Sequence, residues 1–266
     1  MRKTYFYHAL MFFSIFFFAL VSIHILEWKK DQNKSIQIEQ VLQKERKQKT
    51  STKKTTSLIN PPRDKQDSTW NYENTPFIEV DFSSLQNRNK DIIGWLEVTD
   101  TKVDYPVVQT NNNDYYLTHS FDHTSNSSGW IYGDYRNDFN LLNQNNIIYG
   151  HGRLDGTKFG SLRELLNEDW FKEPSHHIIQ LSTLTYNSIW QIVSVYTIPK
   201  ESYYLTTHFN SKAFESFLDT IQTRSKIIFP TSLNTKDKIL TLSTCQNDYG
   251  ERLVVHSKLI KKETRN

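Results

Sequence analysis

A single cysteine, Cys245, serves a chain of 266 residues, so an internal disulfide is excluded. Zinc chemistry has little to build on. There is no Cys pair and no His-Glu-x-x-His, and the adjacent His176 and His177 lack a convincing third ligand. A Gly-x-Ser-x-Gly elbow and a phosphate-cradling glycine loop are both missing. The stretch Asp134 to Asp138 reads as a solvated turn rather than a calcium loop, so neither a metal nor a cofactor is expected. Excess positive charge is also missing where a nucleic acid would need it. Residues 1–70 hold 13 Lys+Arg against 6 Asp+Glu, which leaves 19 against 23 for residues 71–266. The basic balance therefore belongs to an N-terminal arm, as suits a segment beside an anionic membrane face, and not to a nucleic-acid-binding surface.

Formal charge is absent from Lys3 to Glu27, a run dominated by Phe, Leu, Ile and Val. At ~1.5 Å per residue it can cross a ~30 Å hydrocarbon core. Arg2 and Lys3 precede it and no clean small-x-small cleavage site precedes Glu27, so residues 1–28 are expected to be an uncleaved signal-anchor rather than a signal peptide. Residues 29–70, rich in Lys, Gln, Thr and Ser and ending near Pro61 and Pro62, are expected to be a basic polar stalk. Residues 71–266 remain for one folded domain, expected to work without the stalk.

The texture of that domain is mainly β. Apolar and β-branched runs occur at 103–109, 129–133, 147–149, 178–181, 189–198, 239–242 and 253–260, some of them separated by Asn, Asp, Gly and Ser clusters. Many short strands in one domain favour a closed barrel or a sandwich. Ala213, Phe214, Phe217, Leu218 and Ile221 recur at helical spacing, with Asn210 or Ser211 as cap, and predict a helix laid over the sheet.

Cys245 ends the run Thr241-Leu-Ser-Thr-Cys245, and Arg252 opens the next one. A buried cysteine is often only a small hydrophobe. Here, however, a polar loop follows it and an arginine returns seven positions later. Nearby positive charge populates a thiolate, and a planar guanidinium can also donate to an oxyanion. The bland alternative for Arg252 is an ion pair with Asp248 or Glu251. About ninety residues upstream, Tyr149-Gly-His-Gly152 ends another apolar run, its glycines free to turn and present His151 to a cleft. His256 competes, because period-two alternation puts Arg252, Val254 and His256 on one face.

At these residues the chain resembles the sortases, and among them the class B group. Thr241-Leu-Ser-Thr-Cys245 with Arg252, and Tyr149-Gly-His151, are similar to the family's signatures. Asp91-Ile-Ile-Gly-Trp95, Thr101-Lys-Val-Asp-Tyr-Pro-Val-Val-Gln109, Asp114-Tyr-Tyr-Leu117 and Gly129-Trp-Ile-Tyr-Gly-Asp-Tyr135 resemble its N-terminal blocks in the same order, so that the likeness spans nearly all of residues 78–262. The resemblance implies an eight-stranded sortase-type barrel with N-terminal helices and a further helix before the cysteine strand. It implies a membrane-anchored transpeptidase on the extracellular face of a Gram-positive cell. Cys245 would attack the Thr carbonyl of an Asn-Pro-x-Thr-like C-terminal sorting signal on a secreted protein and give a thioacyl enzyme. His151 would serve as acid and then base, Arg252 would hold the oxyanion, and Ser243 and Thr244 would contact substrate. The implied acceptor is a peptidoglycan amine, with a pilin lysine or water (a thiol peptidase) as alternatives.

Overall fold

The computed structural model describes residues 2–53, 72, 75–199, 201–245 and 250–265, and of residues 2–4, 9, 47–53 and Cys245 the backbone alone. Among the described residues the strands are β1 (Ile92–Val98), β2 (Asp104–Val108), β3 (Tyr132–Gly133), β4 (Asn145–His151), β5 (Ile178–Thr183), β6 (Tyr186–Pro199), β7 (Ile239–Cys245) and β8 (Glu251–Thr264). They close into a barrel in the order β1-β2-β3-β4-β7-β8-β6-β5, the mainly β, eight-stranded architecture expected. Pairing is antiparallel except for β2 with β3 and β4 with β7. The β4–β7 exception arises because residues 152–238, carrying β5, β6 and two helices, intervene and return the chain in the same direction. Closure leaves these strands without an open sheet edge.

Three tryptophans, Trp95, Trp130 and Trp190, fill the main core and are fully buried. The Trp130 indole donates to Pro106 O (2.9 Å), which satisfies its one polar atom. This anchor makes most of 129–133 a connection rather than the expected strand: Gly129 turns at φ +55°, and only Tyr132 and Gly133 pair. Ser211–Arg224 form the helix that the 3.6-residue spacing predicts. Asn210 caps it by accepting from Ala213 N (2.9 Å), and Phe214, Phe217, Leu218 and Ile221 pack on Tyr196, Ile239 and Val254 in a second core.

Among the described residues two helices precede the barrel, α1 (Arg2–Lys53) and α2 (Phe82–Arg88). The short helix α3 (Glu168–Phe171) lies between β4 and β5, which makes Ser211–Arg224 α4. From Tyr5 to Leu26 the large apolar side chains of α1 are exposed, and by length and composition this stretch can cross a membrane. The polar stretch that follows departs from the stalk expected of it. Residues 31–46 continue the same helix along the barrel, burying Ser35, Glu39 and Leu42, while Arg46 pairs with Glu97 (2.6 Å) and Asp104 (3.1 Å). Polar composition hid this contact because most of its anchors are charged or hydrogen-bonding groups. Residues 54–70, the rest of the expected stalk, lie outside the described residues.

Candidate active site

Parallel pairing of β4 with β7 runs in register from Asn145↔Ile239 to His151↔Cys245. Two parallel strands end at the same rim of the barrel, so the histidine and the cysteine stand side by side at their C-terminal ends. β8 continues the sheet on the far side of β7, paired antiparallel as far as Ser243↔Val254, which brings Arg252 at the start of β8 to that same rim. Three strands, adjacent in the order β4-β7-β8, thus assemble residues drawn from more than a hundred positions of sequence.

The His151 ring is fixed by a 2.8 Å hydrogen bond between Nε2 and Leu117 O. A carbonyl only accepts, so Nε2 carries the proton and Nδ1 is the nitrogen free to exchange one. Burial pushes the imidazole below its usual range; the Leu117 carbonyl opposes that shift, and Arg153 and Lys158 add to it. The flanking glycines act differently from the sequence expectation. Neither has a positive φ. A Cβ on Gly150 would lie 2.5 Å from Ile131 Cδ1 and 2.8 Å from the Phe159 ring, so this position is glycine for close packing and not for a turn.

Arg252 is half-buried. Its Nη1 donates to Tyr204 Oη (3.3 Å), its Nε is buried without a partner among the described residues, and it makes no ion pair there. Asp248, one of the two carboxylates considered for it, lies outside the described residues. Tyr204 also meets Ser243 Oγ (3.1 Å). Ser243 therefore lies behind the site, buried and engaged with the tyrosine that holds the arginine. Thr244 accepts from Leu253 N (2.8 Å) through Oγ1 and lines a cavity of about 580 Å³ beside His151, together with Phe159, Arg153, Leu253 and Trp28 of α1.

His256 is not part of this rim. It is fully buried, with Nε2 against Tyr196 Oη (2.7 Å) and Nδ1 against Thr241 Oγ1 (2.8 Å), and burial drops its pKa to about 3. Alternation assigned its face correctly, but that face is covered by α4. Asp134 likewise belongs to the interior and not to a solvated turn: it accepts from Tyr149 Oη (2.8 Å) and from both Nε and Nη2 of Arg136. Burial works to raise the Asp134 carboxyl, and these bonds outweigh it and hold the group below the usual carboxylate range. Sequence reasoning missed Tyr204. It sits in Tyr203-Tyr204, and only the preceding loop's approach to β7 gives it a role.

A family model described as "Sortase domain" matches residues 96–260. The chain belongs to the sortase family. A curated sortase B of Listeria monocytogenes is 37% identical over 189 residues, covering 70% of this chain and 76% of the relative. A Staphylococcus aureus sortase B–substrate complex superposes with a TM-score of 0.63 at 35% identity, covering 68% of this chain and 84% of that one. A sortase B complexed with triglycine gives 0.64 at 35%, covering 68% and 85%. The sortase is most like the class B group, and its activity is that of a sortase-type cysteine transpeptidase.

Proposed function

We propose that this sortase cleaves an Asn-Pro-x-Thr-like signal near the C-terminus of secreted proteins and joins them to a peptidoglycan amine. Cys245 passes its thiol proton to His151 Nδ1 and attacks the Thr carbonyl, Arg252 meets the developing oxyanion, and His151 hands that proton to the leaving amine; it then takes one from the acceptor and returns it to the departing Cys245 sulfur. The observation that carries this reading is the in-register His151↔Cys245 pair with Arg252 on the next strand. An arginine whose buried Nε has no partner among the described residues is suited to a charge that appears only during reaction. The substrate-bound and triglycine-bound sortase B relatives support a peptide donor and an amine acceptor. Thr244 is the better placed of the two expected substrate contacts, with Ser243 acting through Tyr204.

The apolar part of α1 is read as a membrane anchor within residues 1–28, with the barrel on the extracellular face. Trp28 closes that apolar stretch and also lines the cavity beside His151. Tryptophan at the end of a span sits at headgroup level. The cavity would then open where a lipid-borne peptidoglycan precursor presents its amine.

Incubation with sorting-signal peptides, with and without an oligoglycine amine, tests the reading. The expected products are a peptide thioester on Cys245 by mass spectrometry, an amine-dependent ligation product, and no turnover by Cys245→Ala. Turnover by the alanine variant would refute the mechanism, and release to water unaffected by amine would make the protein a thiol peptidase instead.

A further inference from the structure

Lys158 is fully buried, although transpeptidation gives it no task. Its Nζ donates to Glu39 Oε1 (2.5 Å) and to Ser35 Oγ (2.9 Å), both on α1, and lies 3.8 Å from the centre of the Trp130 ring. Tyr105 closes the cluster: its hydroxyl donates to Glu39 Oε2 (3.2 Å) and accepts from Lys158 N (3.0 Å). Burial pulls the ammonium below the usual lysine range while Glu39 works against it. A buried ion pair rarely stabilises more than a well-packed apolar pair of the same volume, so stability alone does not explain it.

Geometry offers another role. Lys158 ends the loop that begins at His151, and the two ends are bridged: Gly152 pairs with Lys158, and Phe159 N donates to His151 O (3.0 Å). The Phe159 ring then packs against Gly150, the residue before the histidine. Helix α1 grips the same loop at two further points, Gln32 donating to Asp155 (2.8 Å) and Trp28 lying under Arg153 (5.8 Å). Residues 28, 32, 35 and 39 follow helical spacing and share one face of α1.

We infer that this face of α1, through the Glu39–Lys158 pair, is a positioning element that sets His151 in its catalytic pose. The inference rests on His151 being the acid–base of the proposed reaction. An ion pair fixes distance and direction, whereas apolar contact is non-directional, so the pair specifies where the loop sits rather than whether the protein folds. The membrane-proximal helix then belongs to the catalytic apparatus, acting through the loop and not on the reacting atoms.

The test uses the full chain in lipid nanodiscs, a sorting-signal peptide and an oligoglycine acceptor. The double variant Lys158→Met/Glu39→Leu keeps the volume buried and removes the charges. It is expected to retain the parent Tm, while kcat falls about 10- to 100-fold with KM little changed. Arg46→Ala, which loosens the same helix at its contacts with Glu97 and Asp104, is expected to lower Tm but hold kcat within about twofold. Parent kcat in the folded double variant would overturn the inference, as would losses of kcat that follow Tm across both variants. If the double variant folds poorly, Gln32→Leu severs a second tie to the loop and should lower kcat without changing KM; unchanged kcat there counts against the inference. His151→Ala separates the readings: activity in that variant removes the proposed acid–base, whereas an inactive His151→Ala beside a fully active double variant removes only the positioning role.

Discussion

Replacing Arg252 by lysine conserves charge and most of the contact the arginine makes at rest. Among the described residues Arg252 offers one hydrogen bond to a protein group, Nη1 to Tyr204 Oη at 3.3 Å, and a lysine ammonium can still reach that hydroxyl. Loss of this long bond, on a half-buried side chain, is worth about 0–1 kcal/mol of stability. The proposed reaction asks for more. An oxyanion beside the buried Nε and a substrate carbonyl on the other nitrogen require two donors in a fixed plane, which a point charge on a flexible stem does not provide. Removing one oxyanion donor costs on the order of 10²–10³ in rate, or roughly 3–4 kcal/mol. The gap between these figures, about 2–4 kcal/mol, is what the experiment reads. Steady-state kcat and KM for peptide cleavage, taken with Tm on the same samples, should show kcat falling by two to three orders of magnitude at nearly constant Tm. Tyr204→Phe provides the calibration. It frees Nη1 without removing the guanidinium and should cost at most about tenfold. Near-normal kcat in Arg252→Lys, or a loss matched by a fall in Tm, would reduce Arg252 to a structural residue.

Two further outcomes concern stability. His256 has a folded pKa of about 3 against ~6.5 unfolded, so between these values the unfolded chain binds the extra proton. Its neutral burial contributes fully above pH ~6.5, and the contribution falls by up to ~1.4 kcal/mol per pH unit as pH drops toward 3, about 5 kcal/mol in all. His256→Gln should flatten the unfolding free energy between pH 6.5 and 4 relative to the parent, and an unchanged slope would mean that the acid sensitivity lies elsewhere. Deleting residues 1–28 leaves the barrel contacts of residues 31–46 in place and should barely change Tm. Deleting 1–46 removes Ser35, Glu39, Leu42 and Arg46 from the barrel together and should lower Tm, so equal melting of the two truncations would argue that α1 packs differently.

The residues proposed for the site could be picked out because they lie in short motifs: a cysteine at a strand end, a histidine at another, an arginine opening the next strand. Hydrophobic runs located most strands, and helical spacing with an asparagine cap located α4 closely. What stayed hidden depends on partners far away in sequence. Nothing in Asp155-Gly-Thr-Lys158 signals a buried lysine, because its partner Glu39 lies on a helix more than a hundred residues upstream. Asp134 reads as a turn residue until Arg136 and Tyr149 close over it. Alternation fixed the face of His256 but not the presence of α4 above that face. A polar segment at 31–46 resembles a spacer because its anchoring groups are the same residue types that make a spacer soluble.

The juxtaposition of His151 with Cys245 depends on register, which neither motif states. In a sheet, a slip of one residue between β4 and β7 would send one of the two side chains to the opposite face. The apolar residues Ile147, Ile148, Leu240 and Leu242 resist that slip only weakly, since β4 is buried on both faces. Polar groups at the other end of the strands fix it. Thr241 Oγ1 donates to Asn145 Oδ1 (2.6 Å), and the Asn146 side chain donates to Ile239 O (3.0 Å), all fully buried. The same Asn145 amide donates to Tyr204 O and Thr206 O, both at 2.9 Å, and so ties down the loop whose tyrosine holds Arg252. A slipped register would leave these buried groups unpaired at ~1–3 kcal/mol each, several times the cost of exchanging one apolar neighbour for another. Two buried asparagines thus align, from the far end of the strands, the three side chains proposed to carry the reaction.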